Sequence, residues 1–526
     1  MAPTTANRAS NANLTFAQRL KFFNSMLFFI MIHMAFCAFN FGFDVGTFGG
    51  VQAMQSFADD FGEYNAEKDS WALAPSLRSV MVSTPFIGKA LGAIVCGMIA
   101  ERWGRRMAIL VLCIVSFIGA TLQTSATTAA QFTIGRIIAY AMTGMAVVVV
   151  PIYQAETAPP ELRGMFGCTI QFMIIFGQVV ASLITYGTQN ITSNAGWQIP
   201  IGLQLVPPFL ILVLLPILPE SPRWLVSRDR NEDAAKSLRK IRKSASEEDI
   251  QFEIESWRFV NANEQHKGSW AEVFNKKNRL RTGIAVFAMF GQQITGQAFP
   301  TQYQVVFYQQ EGLGANAFLY NVISNVVGLI AVIMTWFTVD GAGRRPTLLL
   351  GGAMMAAFML ILGGMGTVPV DSRTDSMGDM MVASFMLFNF FFNLSWAPLA
   401  YVIVSETAAL RVKEKTNLLS MVVSVLTTFV TSFTTPYLIN DDYAGLGGKL
   451  GYIYGAINVL VVVGVFFIVP ELKGRSLEEV DQLFASGAPI RSFSKMETKN
   501  AEQLYEEGVA VGDKLGTVTI EHKEGR

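Results

Sequence analysis

Charged residues are scarce in this chain of 526 residues. Asp, Glu, Lys and Arg make up 15% of it, whereas a soluble globular protein carries about 25%. Hydrophobic residues reach 51%, and the mean hydropathy is +0.38. The shortage of charge excludes an ordinary soluble protein, and we expect no nucleic-acid partner.

Histidine and cysteine are also rare, with 3 and 4 residues respectively. The cysteines lie within or beside apolar segments, show no metal-ligand spacing, and are not expected to form disulfides there. The chain has no His-Glu-x-x-His pair, Walker loop or nucleophile elbow, which are the motifs of several large enzyme classes. We therefore expect no enzyme activity, no metal site and no cofactor.

Apolar segments recur along nearly the whole chain, each long enough to cross a bilayer as a helix of about 20 residues. They predict an all-α membrane protein with twelve transmembrane helices. The predicted spans, numbered 1 to 12 in chain order, are 24–50, 76–99, 107–125, 130–155, 165–188, 197–218, 280–300, 317–339, 347–367, 380–404, 417–439 and 450–469.

Basic residues are concentrated on one side of these spans. The segment 219–282 holds fourteen Lys or Arg, whereas the loop 51–70 has one Lys and five acidic residues. Because basic loops stay cytoplasmic, we predict a multi-pass protein of the cell membrane with both termini in the cytoplasm. The first span follows a polar tail, so we expect no cleavable signal peptide. The outward loop contains Asn190-Ile191-Thr192, which makes Asn190 a candidate glycosylation site.

Three short motifs occur twice in the chain, at offsets of 239–251 residues. GMIAERWGRR (97–106) matches TVDGAGRRP (338–346), YQAETAPPELRG (153–164) matches YVIVSETAALRVK (401–413), and PESPRW (219–224) matches PELKGR (470–475). Paired halves with a site between them are typical of transporters. The repeat predicts an N-terminal tail (1–23), a first six-helix half (24–218), a cytoplasmic helical linker (219–279), a second six-helix half (280–469) and a C-terminal tail (470–526).

These motifs resemble those of the sugar porter family of the major facilitator superfamily, and the resemblance extends over about 30–485. It implies that bidentate carboxylate–guanidinium pairs between the two halves hold the inner side shut while the outer side is open. The alternative is that the basic turns only anchor the loops to anionic lipid. Lys413 stands where the family usually has Arg, which weakens its pair. The residues expected in this gate are Glu101, Arg105, Glu156, Arg163, Glu220, Arg223, Asp340, Arg344 and Glu406.

Several glutamines lie in the central spans, where a polar side chain is costly unless it faces a cavity or another helix. Gln293 and Gln297 share one helical face, as do Gln171 and Gln178. An amide donates and accepts hydrogen bonds without the cost of burying a charge, which suits a polyhydroxyl ligand. The alternative role is interhelical hydrogen bonding, worth about 0.6 kcal/mol per bond.

The resemblance implies that these amides contact sugar, but the second half of the site departs from the family pattern. Ala298 stands where the family usually has Asn, and Gln302 replaces the first residue of a Tyr pair. Ala397 and Tyr401 replace Gly and Trp in many members. The resemblance therefore predicts the fold but does not restrict the substrate to a plain hexose. The expected substrate-binding residues are Gln171, Gln178, Gln292, Gln293, Gln297, Tyr303 and Tyr401.

Glycine and proline predict local features of the spans. Gly42 and Gly46 have the small-xxx-small spacing that lets another helix approach closely. Pro300 and Pro398 are expected to break spans 7 and 10, freeing backbone groups that a cavity can satisfy.

Few ionisable residues lie inside the spans. Asp44 in span 1 and Arg136 in span 4 are placed at similar depth. Burial favours the neutral acid and a nearby Arg favours the carboxylate, so such a site can take up and release a proton. The resemblance implies this coupling role, and a structural ion pair is the alternative. Lys89 is expected to snorkel or to pair with a carboxylate, or else to bind an anionic substrate such as a uronate.

The sequence thus predicts a monomeric secondary transporter in the lipid bilayer that imports a sugar together with a proton. The alternatives within transport are a facilitative sugar uniporter, a sugar-acid transporter and an exporter of a specialised metabolite. A non-transporting sugar receptor is a further alternative, although receptors of this family tend to carry longer cytoplasmic tails than the one found here.

Overall fold

Long helices dominate the computed structural model of this chain. It describes residues 24–498 except for 66–68, 160–161, 244–245, 264–267, 441, 474, 476 and 497. Within that part of the chain, eleven helices are long and apolar enough to cross a membrane. They are Ser25–Val51, Pro75–Trp103, Arg105–Thr124, Ala129–Thr157, Thr169–Thr188, Ala195–Ile217, Gly314–Trp336, Arg344–Met365, Asp375–Thr407, Lys413–Ile439 and Gly447–Ile468. Span 5 begins as a helix at Arg163, and span 8 continues to Ala342.

The remaining crossing is span 7, which is broken into the helices Arg279–Ile294, Ala298–Gln302 and Gln304–Gln310. The break lies before Pro300, at Gly296, whose φ of +83° is a left-handed conformation that favours glycine. A Cβ at this position would lie 2.3 Å from the Tyr454 ring. Asn458 of span 12 donates to the carbonyl of Thr295 at 2.9 Å, and so supplies one of the hydrogen bonds that the break removes.

Span 10 is irregular at a similar place. Residues Phe392–Trp396 form one turn of π-helix, and the regular helix resumes at Ala397 with Pro398 in its first turn. Proline has no N–H and its ring clashes with the carbonyl four residues earlier, so a wider turn directly before it relieves the contact. The expected break in span 10 is confirmed, as a π turn rather than a gap.

Close backbone contacts hold the helices of the first half together. A Cβ at Gly42 would lie 1.8 Å from the carbonyl oxygen of Ile174, and one at Gly46 would lie 2.9 Å from Cα of Gln178. Spans 1 and 5 therefore pack backbone against backbone, which confirms the prediction from the small-xxx-small spacing. Gly88 of span 2 packs on span 4 in the same way.

Outside the spans, the described residues include one hairpin and several helices. An antiparallel hairpin of Glu63–Asn65 and Ser70–Ala72 follows span 1, and these are the strands found in the described residues. The linker after span 6 forms the helices Pro222–Ser227, Asn231–Ile241, Glu247–Asn263 and Trp270–Val273, as predicted. The helix Leu477–Ala485 follows span 12.

Candidate functional site

A cavity of about 600 Å³ lies between the two halves. Spans 1, 2, 4 and 5 form one wall, and spans 7, 8, 10 and 11 form the other. The lining extends to Arg344 at the start of span 9, so the cavity reaches the end of the bundle that carries the Gly-Arg-Arg turns.

Six of the seven residues predicted to bind substrate line this cavity: Gln171, Gln178, Gln292, Gln293, Gln297 and Tyr401. Tyr303 does not. It is fully buried and donates its hydroxyl to the carbonyl of Ser432 at 2.6 Å, which links spans 7 and 11. Its position beside the broken part of span 7 turns it toward the neighbouring helix rather than toward the cavity.

The amides of the first wall are available to a ligand. Gln171 and Gln178 lie on span 5 and are half-buried. Neither amide has a hydrogen-bond partner among the residues the structure describes, and both face the cavity. Because each amide offers two donors and one acceptor, this wall can hydrogen-bond several hydroxyl groups of one ligand.

The amides of the second wall are largely used within the protein. Gln292 donates to the carbonyls of Trp396 and Ala397 at 3.1 and 3.0 Å, where the π turn ends and the regular helix begins. Gln293 in turn donates to the side-chain oxygen of Gln292 at 2.9 Å. Gln292 is therefore a structural link between spans 7 and 10, and Gln293 retains its own oxygen for a ligand.

The sequence analysis missed two asparagines of span 10 that also line the cavity, Asn389 and Asn393. The amide of Asn389 donates to the carbonyl of Ser324 at 3.0 Å, and that of Asn393 donates to the side-chain oxygen of Asn389 at 2.8 Å. Their spacing of i, i+4 inside an apolar segment was the signal that would have identified them.

Asp44 and Arg136 are both buried, but they form no ion pair in the described structure. Neither carboxylate oxygen of Asp44 has a hydrogen-bond partner among the described residues. Arg136 donates from Nε to the carbonyl of Met81 at 2.9 Å, and its guanidinium lies 3.7 Å from the centroid of Phe48. Arg136 is held by this carbonyl for a local reason. In a continuous helix the N–H of residue 85 would bond the Met81 carbonyl, but Pro85 has no N–H, and Arg136 donates to the carbonyl instead.

Lys89 of span 2 lines the cavity as well. Its ammonium lies 4.9 Å from the centroid of the Phe41 ring. It forms no ion pair with any carboxylate in the part of the chain that the structure describes, so the carboxylate partner considered in the sequence analysis is not found there.

Carboxylate–guanidinium pairs fix the basic turns. Arg105 makes a bidentate pair with Glu156, at 2.8 and 2.5 Å, and Arg344 pairs with Glu406 at 3.0 Å. Each of these pairs joins two spans of the same half, whereas the sequence analysis expected pairs between the halves. The cavity extends to this end of the bundle, and the two halves are therefore apart where such a pair would form.

The N-terminus of span 3 receives a buried carboxylate. The two oxygens of Glu220 accept hydrogen bonds from the backbone N–H groups of Arg105 and Arg106 at 2.9 and 3.2 Å. Burial raises the pKa of the Glu220 carboxyl, while the hydrogen bonds that it accepts from backbone N–H groups lower this pKa. A carboxylate at a helix N-terminus also interacts favourably with the helix dipole.

Glu471 repeats this arrangement in the second half and was not predicted. It accepts from the first two N–H groups of span 9 at 3.1 and 2.9 Å. The repeat PESPRW and PELKGR was the signal for it. Gly104 and Gly343 permit both contacts, because their φ angles are +97° and +93° and a Cβ would lie 2.6 and 2.8 Å from the respective carboxylates.

The other predicted gate residues differ in their roles. Glu101 contributes its main-chain carbonyl, which accepts from Trp224 at 2.8 Å and Arg228 at 2.6 Å. Arg223 lies 5.2 Å from the centroid of Trp257 in the linker. The side chains of Arg163 and Asp340 lie outside the described residues.

Neutral hydrogen bonds join the two halves at the end opposite the basic turns. Gln52 donates to the carbonyl of Gln302, Gln309 donates to that of Ala53 at 3.0 Å, and Ser79 donates to that of Phe433 at 2.9 Å. The cavity is therefore closed on this side and extends toward the basic turns.

Two six-helix halves around a cavity that carries several amides, with matching anchored turns, define a membrane transporter. The family model described as "Sugar (and other) transporter" matches residues 30–484. The chain belongs to this family, the sugar porters of the major facilitator superfamily.

Curated relatives cover most of the chain. It is 30% identical to the low-affinity glucose transporter HXT3 of Saccharomyces cerevisiae, over 92% of this chain and 86% of the relative. It is 32% identical to the major facilitator-type transporter ecdD of Aspergillus rugulosus, over 91% and 90%. An inward-open, partially occluded structure of the xylose transporter XylE from E. coli has the same fold, with a TM-score of 0.71, 24% identity, and coverage of 86% of this chain and 100% of that one.

Proposed function

We propose that the protein imports a sugar across the plasma membrane by alternating access, coupled to the entry of a proton. The observation that carries the sugar assignment is the pair of free amides of Gln171 and Gln178 facing the cavity. A cavity of about 600 Å³ lies within the range of roughly 300–1,000 Å³ for small-molecule sites. Relatives named as glucose transporters support the same substrate class.

The difference between the two ends, one closed and the other open, supports alternating access. The neutral bonds from Gln52, Ser79 and Gln309 must break for the cavity to open on their side. The ion pairs of the basic turns lie within the halves and can persist while each half moves as a unit. We propose that the basic turns are cytoplasmic, as their charge predicts, so that this conformation is inward-facing.

Asp44 supports coupling to a proton. An ionised carboxylate buried without a partner is costly, which favours the protonated acid in this conformation. We propose that Asp44 takes up its proton while the cavity faces outward. In the inward-facing conformation, water or a guanidinium partner that reaches Asp44 makes the ionised form favourable, and the proton leaves into the cytoplasm. A symporter of similar fold, XylE, is named for proton and xylose together.

The direct test uses purified protein in liposomes. An inward proton gradient with external sugar should produce sugar accumulation and alkalinise the outside medium. If a panel of hexoses, pentoses and disaccharides gives no uptake, the sugar assignment fails. If sugar equilibrates and a protonophore has no effect, the protein is a uniporter.

A further inference from the structure

The charged residues of the cavity wall are all basic. Among the described residues that line it, Lys89 and Arg344 are charged, and none is Asp or Glu. Arg344 lies at the mouth beside the basic turn and already pairs with Glu406 at 3.0 Å. Lys89 thus brings a positive charge to the cavity without a carboxylate from the described part of the chain.

The position of Lys89 is fixed by packing. A Cβ at Gly144 of span 4 would lie 1.9 Å from the carbonyl oxygen of Lys89, so the two backbones are in direct contact at this residue. The backbone of Lys89 therefore cannot move away from the wall unless spans 2 and 4 separate. The Phe41 ring, 4.9 Å from its ammonium, offsets only part of the cost of a cation at membrane depth. An anion in the cavity would supply the missing opposite charge.

We propose that the substrate is a sugar acid, bound with its carboxylate on Lys89 and its hydroxyls on the amides of Gln171, Gln178 and Gln293. This inference rests on the proposed function and narrows its substrate class. One ammonium matches a single carboxylate, whereas a phosphate carries about two charges and is typically held by several donors.

The second half has no charge at the position that the internal repeat aligns with Lys89. The position 239 residues after Lys89 is Gly328, where the second half has no side chain and a Cβ would instead lie 3.1 Å from the amide nitrogen of Asn393. That wall offers neutral polar groups at the matching place. The acid group therefore binds toward the first half, and the orientation of the ligand in the cavity is fixed.

The test compares each acid with its neutral counterpart in the same liposomes. The pairs are glucuronate with glucose, galacturonate with galactose, and gluconate with glucose, at a pH near 7 where each acid is ionised. We expect the acid to be taken up in preference to the neutral sugar in at least one pair. Preference for the neutral sugar in every pair overturns this inference and leaves the proposed function intact. Uptake of neither member in any pair overturns both.

Variants then assign the preference to one side chain. Lys89→Gln should lower the ratio of acid to neutral uptake by about tenfold or more, the scale of a lost charge-assisted hydrogen bond. Lys89→Arg should keep the preference. Lys236→Gln, which removes an exposed linker lysine, should leave the ratio unchanged. The ratio is measured within one variant, so differences in expression cancel. An unchanged ratio in Lys89→Gln, despite acid uptake, overturns the assignment.

Discussion

The two walls of the cavity use the same kind of side chain for different purposes. On the first wall, span 5 is one continuous helix from Arg163 to Thr188, and its amides at Gln171 and Gln178 are free to meet a ligand. On the second wall, spans 7 and 10 are interrupted, and the amide of Gln292 bonds carbonyls beside the interruption. The continuous span 5 keeps its amides for a ligand, whereas Gln292 of the interrupted span 7 is used in a hydrogen bond within the protein.

The difference extends to the way in which each half can move. Glycines let spans 1 and 5 pack backbone against backbone, which leaves little room for either to bend. Spans 7 and 10 instead contain a left-handed glycine and a π turn, where bonds between side chain and backbone replace regular helical bonds. We infer that the first half moves as a rigid unit and that the second half adjusts around the ligand.

The largest expected effect tests Asp44, the buried acid of span 1. Asp44→Asn mimics the protonated acid but cannot release a proton. An inward pH gradient of one unit supplies about 1.4 kcal/mol per proton, or near tenfold accumulation, whether the substrate is a neutral sugar or an acid anion. The variant should lose this accumulation and keep exchange of labelled for unlabelled sugar. The exposed Asp59→Asn should accumulate normally, and undiminished accumulation in Asp44→Asn would make Asp44 structural.

The next effect compares one glutamine from each wall. Gln178→Ala removes a free amide, so the apparent affinity should fall by about 1–3 kcal/mol, the range for a lost buried hydrogen bond. Gln292→Ala removes an internal bond, so thermal stability and maximal rate should fall more than affinity. The measurements are uptake kinetics and unfolding in detergent. The same kinetic change in both variants would show that the two amides act alike.

A smaller effect is expected for the asparagine that bonds the break in span 7. Asn458→Ala leaves the Thr295 carbonyl without the donor 2.9 Å away, and should lower the free energy of unfolding by about 1–2 kcal/mol. Asn40→Ala is the matched control, because Asn40 is equally buried and bonds Ser116 between two continuous spans at 3.2 Å. Such a bond is worth about 0.6 kcal/mol. Equal losses would remove the distinction between the halves.

The smallest effect should be the same in both halves. Glu220→Gln and Glu471→Gln each replace a carboxylate that accepts two N–H groups at a helix start. The interaction with the helix dipole is worth about 0.3–1 kcal/mol, so the free energy of unfolding, measured in detergent, should fall by about this amount in either variant. A much larger loss in one variant would show that the two halves differ at the basic turns as well as in the cavity.

Hydropathy and the repeat were sufficient to predict the twelve crossings and their halves, because both depend on local composition and spacing. Eleven spans lie within a few residues of their predicted ends. The position of the break in span 7 was not predictable in this way. Pro300 was the visible signal, but the break occurs at Gly296, where Asn458 from a distant span supplies a bond and Tyr454 leaves no room for a Cβ.

The site was predicted as a set of residues but not as a set of roles. Gln171 and Gln292 look alike in sequence, and they differ in whether a neighbouring span brings backbone carbonyls within reach of the amide. Arg136 was matched to Asp44 by depth, yet it bonds the Met81 carbonyl that Pro85 leaves free. Glu471 was within reach of the analysis, because the repeat already aligned it with Glu220.

The contacts at the two ends of the bundle should respond differently to salt. The bonds from Gln52, Ser79 and Gln309 join uncharged donors to main-chain carbonyls. Dissolved ions screen charges, with a Debye length of about 8 Å at physiological ionic strength, and have little effect on neutral groups. The basic turns depend on carboxylates and guanidinium groups, whose attraction weakens as salt rises. A change of ionic strength on one face of the membrane is thus felt mainly at the end with the Gly-Arg-Arg turns, and the opposite closure keeps its strength in dilute and concentrated media alike.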